Sequence, residues 1–166
     1  MRAASLPATV DPIKLADSGA RLTGELPVKA MGRLRALCVD ESGTVSISLS
    51  FERSGDRGLG RMQGTIAASL QVVCQRCLEK MTLVLRAEPS VILIRAQDRE
   101  DLTPRNTDSL VVDGPILLSN IVEDELLLAM PMVPMHDIDK CLAGEYRHRQ
   151  EKPNPFSVLG ELKHKD

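Results

Sequence analysis

The sequence predicts an α+β fold: an antiparallel β-sheet meander with one longer helix at about 115–130 and a short C-terminal helix. Three observations carry this prediction. Apolar and polar residues alternate through three segments of the first half, turn-forming residues separate these segments, and helical spacing replaces the alternation after residue 114. With 166 residues, 43% of them hydrophobic, the chain can bury one core, so a single domain over 1–166 with flexible termini is expected.

Three strands are predicted from strict alternation. The first places four apolar side chains on one face, those of Val45, Ile47, Leu49 and Phe51. Turn-forming residues at 54–60 follow, and alternation from 62 to 72 predicts a long second strand that returns antiparallel to the first. A third alternating segment at 81–85 makes residues 74–77 the tip of a hairpin.

The other strand patterns are weaker. Residues 91–94 are expected to form a buried strand, 96–109 an acidic surface loop and 110–113 a short edge strand. The N-terminal segments 11–15 and 22–26 are ambiguous, and a helical turn and a strand are one assignment that fits them.

The longer helix is expected to open at 114–115, because proline is tolerated at the first helical position, and to end at Pro131. Its apolar residues recur at helical spacing: Leu117, Leu118, Ile121, Val122, Leu128 and Ala129. Asparagine and proline at 154–155 predict the start of the short C-terminal helix.

Three consecutive carboxylates lie within the longer helix, those of Glu123, Asp124 and Glu125. Consecutive residues of a helix point in different directions, so these carboxylates are expected to be solvated rather than to form one acidic site. Glu125 is the expected exception. Because it lies at the border of the apolar stripe, we expect it to pair with an arginine.

Two pairs of potential metal ligands are the most informative feature of the chain. Cys74 and Cys77 form a C-x-x-C motif, and His136 and Cys141 lie close together in a proline-punctuated segment far downstream. Zinc prefers four tetrahedral nitrogen or sulfur ligands, and two thiolates at a tight turn can reach one ion. One structural zinc ion held by all four residues is therefore one hypothesis, and a site that holds no metal or is filled differently is the alternative.

A thiol-disulfide oxidoreductase is the competing interpretation of C-x-x-C. A low thiolate pKa in such enzymes usually comes from a helix N-terminus or a nearby positive charge, and only Arg76 offers the latter here. The hairpin context therefore favours a structural role. Cys38, between Leu37 and Val39, is expected to be a small buried hydrophobe.

Composition and motifs narrow the class of protein. The N-terminus lacks the apolar core of a secretory signal and no apolar run is long enough to cross a bilayer, so a cytoplasmic protein without membrane contact is expected. The common nucleotide-binding and hydrolase signatures are absent. We therefore expect a protein that acts by binding rather than an enzyme, with no catalytic residue.

Several short motifs together resemble the YceD family, which is described as large ribosomal RNA subunit accumulation proteins. They stand in this order: Leu-Pro at 6–7 with Asp-Pro at 11–12, Cys-Gln-Arg-Cys at 74–77, Val-Glu-Asp-Glu-Leu-Leu-Leu-Ala-Met-Pro at 122–131, Val-Pro-Met-His-Asp at 133–137 with Cys141, and Lys-Pro-Asn-Pro-Phe at 152–156. The resemblance runs along nearly the whole chain.

The resemblance implies a non-enzymatic factor in the synthesis, processing or stability of 23S ribosomal RNA, which supports assembly of the large ribosomal subunit. The implied partner is a ribosomal RNA precursor or an assembly intermediate, bound directly or through a ribosomal protein. An adaptor or chaperone for a large-subunit ribosomal protein is an alternative with the same resemblance. A thiol redox protein is the third hypothesis.

Direct contact with RNA would depend on cations that neutralise phosphates, because three aromatic residues in the whole chain offer little base stacking. The candidate cations are Arg33, Arg35, Arg53, Arg57, Arg61, Arg76, Lys152, Lys163 and Lys165. Each of these side chains could equally be an ordinary solvated charge. A chain with an isoelectric point near 5.9 is a poor generic RNA binder. Indirect contact through a ribosomal protein is therefore an alternative to direct contact with RNA.

Overall fold

A computed structural model describes residues 6–54, 59–98, 108–141 and Phe156. The elements within these residues follow the order β1 (Thr9–Val10), α1 (Pro12–Ser18), β2 (Arg21–Pro27), α2 (Gly32–Arg35), β3 (Thr44–Ser54), β4 (Leu59–Val73), β5 (Lys80–Ala87), β6 (Ser90–Arg95), β7 (Ser109–Val112), β8 (Ile116–Leu117) and α3 (Leu118–Ala129). Short 3₁₀ turns at Val28–Ala30, Ala96–Asp98 and Ile138–Lys140 complete this part of the chain.

Six of these strands form the main sheet. Its order is β2-β3-β4-β6-β7, and β5 also pairs with β4. The 15-residue β4 is long enough for two partners on one edge, β6 opposite residues 60–63 and β5 opposite residues 66–73. All of these pairs are antiparallel except β6 and β7, which are parallel. The sheet therefore supplies a continuous floor, and β4 runs through its centre.

The alternation of apolar and polar residues in β3 buries one face of the strand, as the sequence predicts. The four apolar side chains of β3 are at most 3% exposed, whereas its serines at 46 and 48 face solvent. Helices α1 and α3 pack on the buried face of the sheet. Each apolar side chain removed from water there stabilises the fold by about 1.5–3 kcal/mol. The core thus lies on one side of the sheet, and the other side remains polar.

Helix α1 resolves the ambiguous N-terminal segment. Asp11 caps it by accepting a hydrogen bond from the Lys14 N–H, and Pro12 occupies the first helical position. Gly19 ends the helix in the left-handed conformation that glycine adopts without steric cost. Strand β2 then follows at the edge of the main sheet.

The longer helix begins three residues later than the sequence indicates. Residues 116–117 are extended and pair with β1, and the Leu118 N–H donates to the Ala8 carbonyl, so Pro115 precedes a strand and not a helix. The later start of the helix also changes which of its residues are buried. Leu126 is fully buried, whereas Leu128, expected in the stripe, is 81% exposed.

The α+β class and the mostly antiparallel sheet are confirmed, with β5 and β6 sharing one edge of β4 instead of following a simple meander. The flexible termini, the short C-terminal helix expected after 154 and most of the acidic loop at 96–109 lie outside the described residues, although 96–98 form a 3₁₀ turn. Within the part of the chain that is described, no helix has the length and apolar character to span a membrane.

Candidate metal centre

The C-x-x-C motif lies in the tight turn between β4 and β5, as the alternation predicts. The Cys74 N–H donates to the Glu79 carbonyl at 2.9 Å, and the Leu78 N–H donates to the Cys74 carbonyl at 2.9 Å. Leu78 takes a left-handed backbone conformation, with φ at +62°, which is uncommon outside glycine. The turn is therefore closed by its own backbone, and both thiols are held at the end of the hairpin.

The proline-rich loop, residues 130–141, leaves α3 and runs against this turn. The Gln75 N–H donates to the Pro134 carbonyl at 2.8 Å, and the His136 N–H donates to the Cys74 Sγ at 3.4 Å. Both hydrogen bonds link the proline-rich loop to the β4–β5 turn. They bring a loop with little regular structure of its own onto the end of the sheet.

The four predicted ligands meet at one point. The thiol sulfurs of Cys74, Cys77 and Cys141 and a ring nitrogen of His136 all lie within 4.8 Å of one another. Among these atoms, the Cys77 Sγ lies 3.4 Å from the His136 Nδ1. Cys74 and Cys141 are buried, and the other two are half-buried. The proximity of the four residues, inferred from spacing alone, is confirmed.

The two thiols of the turn have opposite electrostatic environments. Burial raises the pKa of the Cys74 thiol, but the N–H groups of Cys77, His136 and Arg76 point at its sulfur and lower that pKa to about 5. For Cys77 the Glu79 N–H lowers the pKa, but burial and the thiols of Cys74 and Cys141 outweigh it and raise the pKa. One sulfur is thus prepared as a thiolate, the form that binds metals.

Three sulfurs and one imidazole nitrogen form a set of donors that suits zinc. In tetrahedral zinc sites the metal–sulfur distance is about 2.3 Å, which places neighbouring sulfurs about 3.7 Å apart. The spread of at most 4.8 Å therefore requires a contraction of only about 1 Å on binding. Four protein ligands would complete the shell, which is the pattern of structural and not catalytic zinc.

The arrangement differs from that of a thiol redox site. The motif lies between two strands and no helix begins after it, so no helix N-terminus stabilises a thiolate. The sulfur with the lowered pKa, that of Cys74, has no exposed surface from which to attack a disulfide. Cys38 stays apart from the cluster: it is half-buried, and its thiol donates to the Leu34 carbonyl at 3.3 Å.

The prediction that the carboxylates of α3 are solvated is correct for Asp124, whose side chain is 56% exposed, and wrong for Glu123. Glu123, expected to be solvated, has a side chain only 5% exposed and accepts hydrogen bonds from the backbone N–H groups of Arg33 at 2.6 Å and Leu34 at 3.0 Å. The Arg33 guanidinium binds the same carboxylate at 2.9 Å and Asp124 at 2.6 Å. Glu125, expected to pair with an arginine, has no ion pair within the described residues.

The candidate RNA-binding cations are spread over the surface. Arg33 binds Glu123 and Asp124, and other candidates are also paired, Arg35 with Glu41 and Arg53 with Asp17. Arg76 is exposed beside the metal ligands and donates to the Met135 Sδ at 3.5 Å, and Arg61 is half-buried in β4. Arg57, Lys152, Lys163 and Lys165 lie outside the described residues.

Comparison with known proteins adds a second line of evidence. The sequence model of one family, described as large ribosomal RNA subunit accumulation protein YceD, matches residues 62–163 and so includes all four ligands. A large ribosomal RNA subunit accumulation protein YceD from Haemophilus influenzae is 32% identical to this chain over 175 aligned positions, which cover 99% of this chain and 100% of that protein. No solved structure matches the chain significantly.

Proposed function

The chain belongs to the YceD family, and from this membership we propose that it is a cytoplasmic, non-enzymatic factor that supports accumulation of the 23S ribosomal RNA during assembly of the large ribosomal subunit. The single observation that carries the proposal is the similarity to a protein of that name along almost the entire length of both chains. Its partner is a ribosomal RNA precursor or an early assembly particle, reached directly or through a ribosomal protein.

The proposal assigns one structural zinc ion to Cys74, Cys77, His136 and Cys141. What supports it is the set of three sulfurs and one imidazole within 4.8 Å and the lowered pKa of one thiol. Bound zinc would fix the proline-rich loop against the β4–β5 turn. Its role is to shape a surface, because four protein ligands leave no position for a substrate.

Direct contact with RNA would use cations that are free of internal acidic partners. Arg76 meets this requirement best among the described candidates, because it is exposed and its guanidinium contacts a sulfur, that of Met135, and no carboxylate of the described residues. It also lies between the two cysteines of the turn, so the metal centre would hold it in place. A phosphate contact there would weaken with added salt.

Depletion of the protein in cells tests the proposed function. We expect mature 23S RNA to fall relative to 16S RNA and precursor particles to accumulate in sucrose gradients, and we expect an unaltered copy of the gene to restore both. A depleted strain whose 23S to 16S ratio equals that of its parent would refute the proposal.

Sedimentation separates the direct and indirect forms of the proposal. The protein should travel with precursor large subunits in lysates. If nuclease releases it from these particles, RNA is its contact. If it remains in a nuclease-resistant complex with a ribosomal protein, the adaptor form of the proposal holds, and if it stays at the top of the gradient in every case, both forms are excluded.

A further inference from the structure

A large groove whose lining includes none of the four candidate metal ligands has no role in the function proposed above. It lies between the second half of α3, the turn that joins β5 to β6, and β7, and its volume is about 970 Å³. We call it the acidic groove, and its defining residues are Leu110, Ile121 and Leu128 on the apolar side and Asp108, Asp124 and Glu125 on the rim.

The apolar side of the acidic groove is open to solvent. Leu128 projects from α3 with 81% of its surface exposed, next to Leu127, which is half-buried. Below them the floor is continuous with the core through Met62 and Ile121. An exposed leucine beside an apolar floor is the usual appearance of a surface that another chain covers.

Among the described residues that line the acidic groove, carboxylates outnumber cations, and Arg33 is the one cation. Within the part of the chain that the structure describes, Asp124 pairs with Arg33 alone and shares this cation with Glu123. Within the described residues the side chains of Asp108 and Glu125 have neither an ion pair nor a hydrogen bond. Burial, together with the charges of Asp108 and Asp124, raises the pKa of Glu125. A cation that arrived from outside would therefore relieve the repulsion between these carboxylates.

We propose that the acidic groove binds a basic amphipathic polypeptide segment, whose apolar side chains cover Leu128 and the floor while its lysines or arginines meet Asp108 and Glu125. RNA is a poor fit for this face, because phosphates would meet the carboxylates of Asp108 and Glu125, which no cation of the described residues neutralises. A bare metal ion would use the carboxylates alone and leave the apolar floor exposed. The inference goes beyond the proposed function and stands whether or not the protein acts on ribosomal RNA.

Fluorescence anisotropy with a labelled peptide of leucine and lysine tests the proposal. In the peptide, leucines recur at helical spacing, and a peptide of the same composition in scrambled order is the control for charge alone. The full-length protein should bind the ordered peptide saturably and the scrambled peptide much more weakly. Equal binding of the two peptides, or no binding of the ordered one, would overturn the proposal.

Two variants locate the binding. Asp108→Asn combined with Glu125→Gln removes two ion pairs and should weaken binding about tenfold at physiological salt. Leu128→Ser removes the apolar contact and should weaken it about fivefold. The control, Glu25→Gln with Glu52→Gln, removes the same charge from strands β2 and β3 and should leave the affinity unchanged. Affinities that fall equally in the control and the groove variants would contradict the assignment.

Sedimentation velocity of the unaltered protein tests whether a second copy of this chain occupies the acidic groove instead. The proposal expects a monomer at the concentrations used for peptide binding. A dimer that Leu128→Ser dissociates would show that the groove is a homodimer interface, and the proposal would then be wrong.

Discussion

The carboxylate of Glu123 joins two segments that are 90 residues apart in the chain. Helix α2 has no capping side chain at its own N-terminus, so the N–H groups of Arg33 and Leu34 would otherwise lack partners. Glu123 accepts hydrogen bonds from both of these N–H groups, and the Arg33 guanidinium neutralises the charge of its carboxylate. A buried acid is thereby fully satisfied, and α2 is fixed against α3.

Replacement of Glu123 should lower the free energy of unfolding far more than replacement of its neighbour Asp124. Glu123→Gln removes the charge that several N–H groups share, and we expect the free energy of unfolding to fall by about 2 kcal/mol. Asp124→Asn, the matched control, alters an exposed ion pair and should change it by less than about 1 kcal/mol. Urea denaturation of the three proteins measures both values, and equal losses in the two variants would contradict this account.

The same contact makes the free energy of unfolding depend on pH, so that it falls in acid. Burial raises the pKa of Glu123, but hydrogen bonds from Leu34 and Arg33 outweigh it and lower the pKa below its ordinary value of 4.5. A lowered pKa in the folded state gives stability that is fully present above the unfolded value and is lost as pH falls through the folded value. The difference between unaltered protein and Glu123→Gln should therefore be constant above about pH 5 and shrink below about pH 4.5. A difference that stays constant under stronger acid would exclude this cause.

The burial of Glu123 could not be predicted from its own surroundings in the sequence. Helical spacing places Glu123 between buried and exposed positions, and its acceptance of hydrogen bonds depends on α2, a four-residue helix with no cap signal in the sequence. The two halves of this contact are remote in the chain. The position of Glu125 at the border of the apolar stripe predicts an ion pair for that residue instead, but this criterion takes no account of where the hydrogen-bond donors lie.

Strand β4 changes partner at Gly64. Residues before it pair with β6, residues after it pair with β5, and the Gly64 N–H donates to the Pro89 carbonyl in the turn between these two strands. Strand β3 passes so closely that a Cβ at this position would collide with the Ser48 carbonyl oxygen and lie 2.9 Å from the Leu49 Cα. Both obstacles are backbone and cannot move aside like a flexible side chain.

Gly64→Ala should therefore destabilise the protein by about 2 kcal/mol, because the added methyl forces β3 and β4 apart. Thr65→Ala, one residue further along the same strand, adds no atom and is the matched control, with an expected change of less than about 1 kcal/mol. Thermal unfolding followed by circular dichroism compares them. A Gly64→Ala protein as stable as the control would mean that the two strands do not approach this closely.

The proposed metal centre would act on whole segments, because it would join the β4–β5 turn to the proline-rich loop. Cys77→Ala should release the metal and leave the loop held mainly by the contacts of Gln75 and His136. We expect faster proteolysis between residues 130 and 141, measured by limited digestion and mass spectrometry. Cys38→Ala removes a thiol outside the cluster and should digest like the unaltered protein. Identical digestion of all three proteins would show that the ligands do not hold the loop.

At this scale the sequence predicts the strands well and their partners less well. A period of two residues identifies β3, β4 and β5 and places the C-x-x-C motif at a hairpin tip, because alternation is a local property. The parallel pairing of β7 with β6 and the extended residues 116–117 depend on contacts with distant strands. Spacing likewise predicted that the four candidate ligands lie close together, but the hydrogen bond between Gln75 and Pro134 that holds the loop against the turn has no signature in the sequence.

At the scale of the whole molecule, one cluster of buried apolar side chains connects the helices and the main sheet. It includes Ala16 of α1, Phe51 of β3 and Leu126 of α3. We therefore expect the single domain predicted from the sequence to unfold in one cooperative transition, with a calorimetric enthalpy equal to the van't Hoff enthalpy. Two separated transitions in the metal-loaded protein would indicate independent units.

Zinc analysis of the full-length protein, purified without chelators, tests the central claim most directly. Elemental analysis combined with X-ray absorption at the zinc edge should find one zinc ion per chain, with three sulfur neighbours at about 2.3 Å and one nitrogen at about 2.0 Å. The Cys38→Ala protein should give the same result. Protein that contains no zinc, or zinc with a different set of neighbours, would contradict the assignment of Cys74, Cys77, His136 and Cys141 to one metal centre.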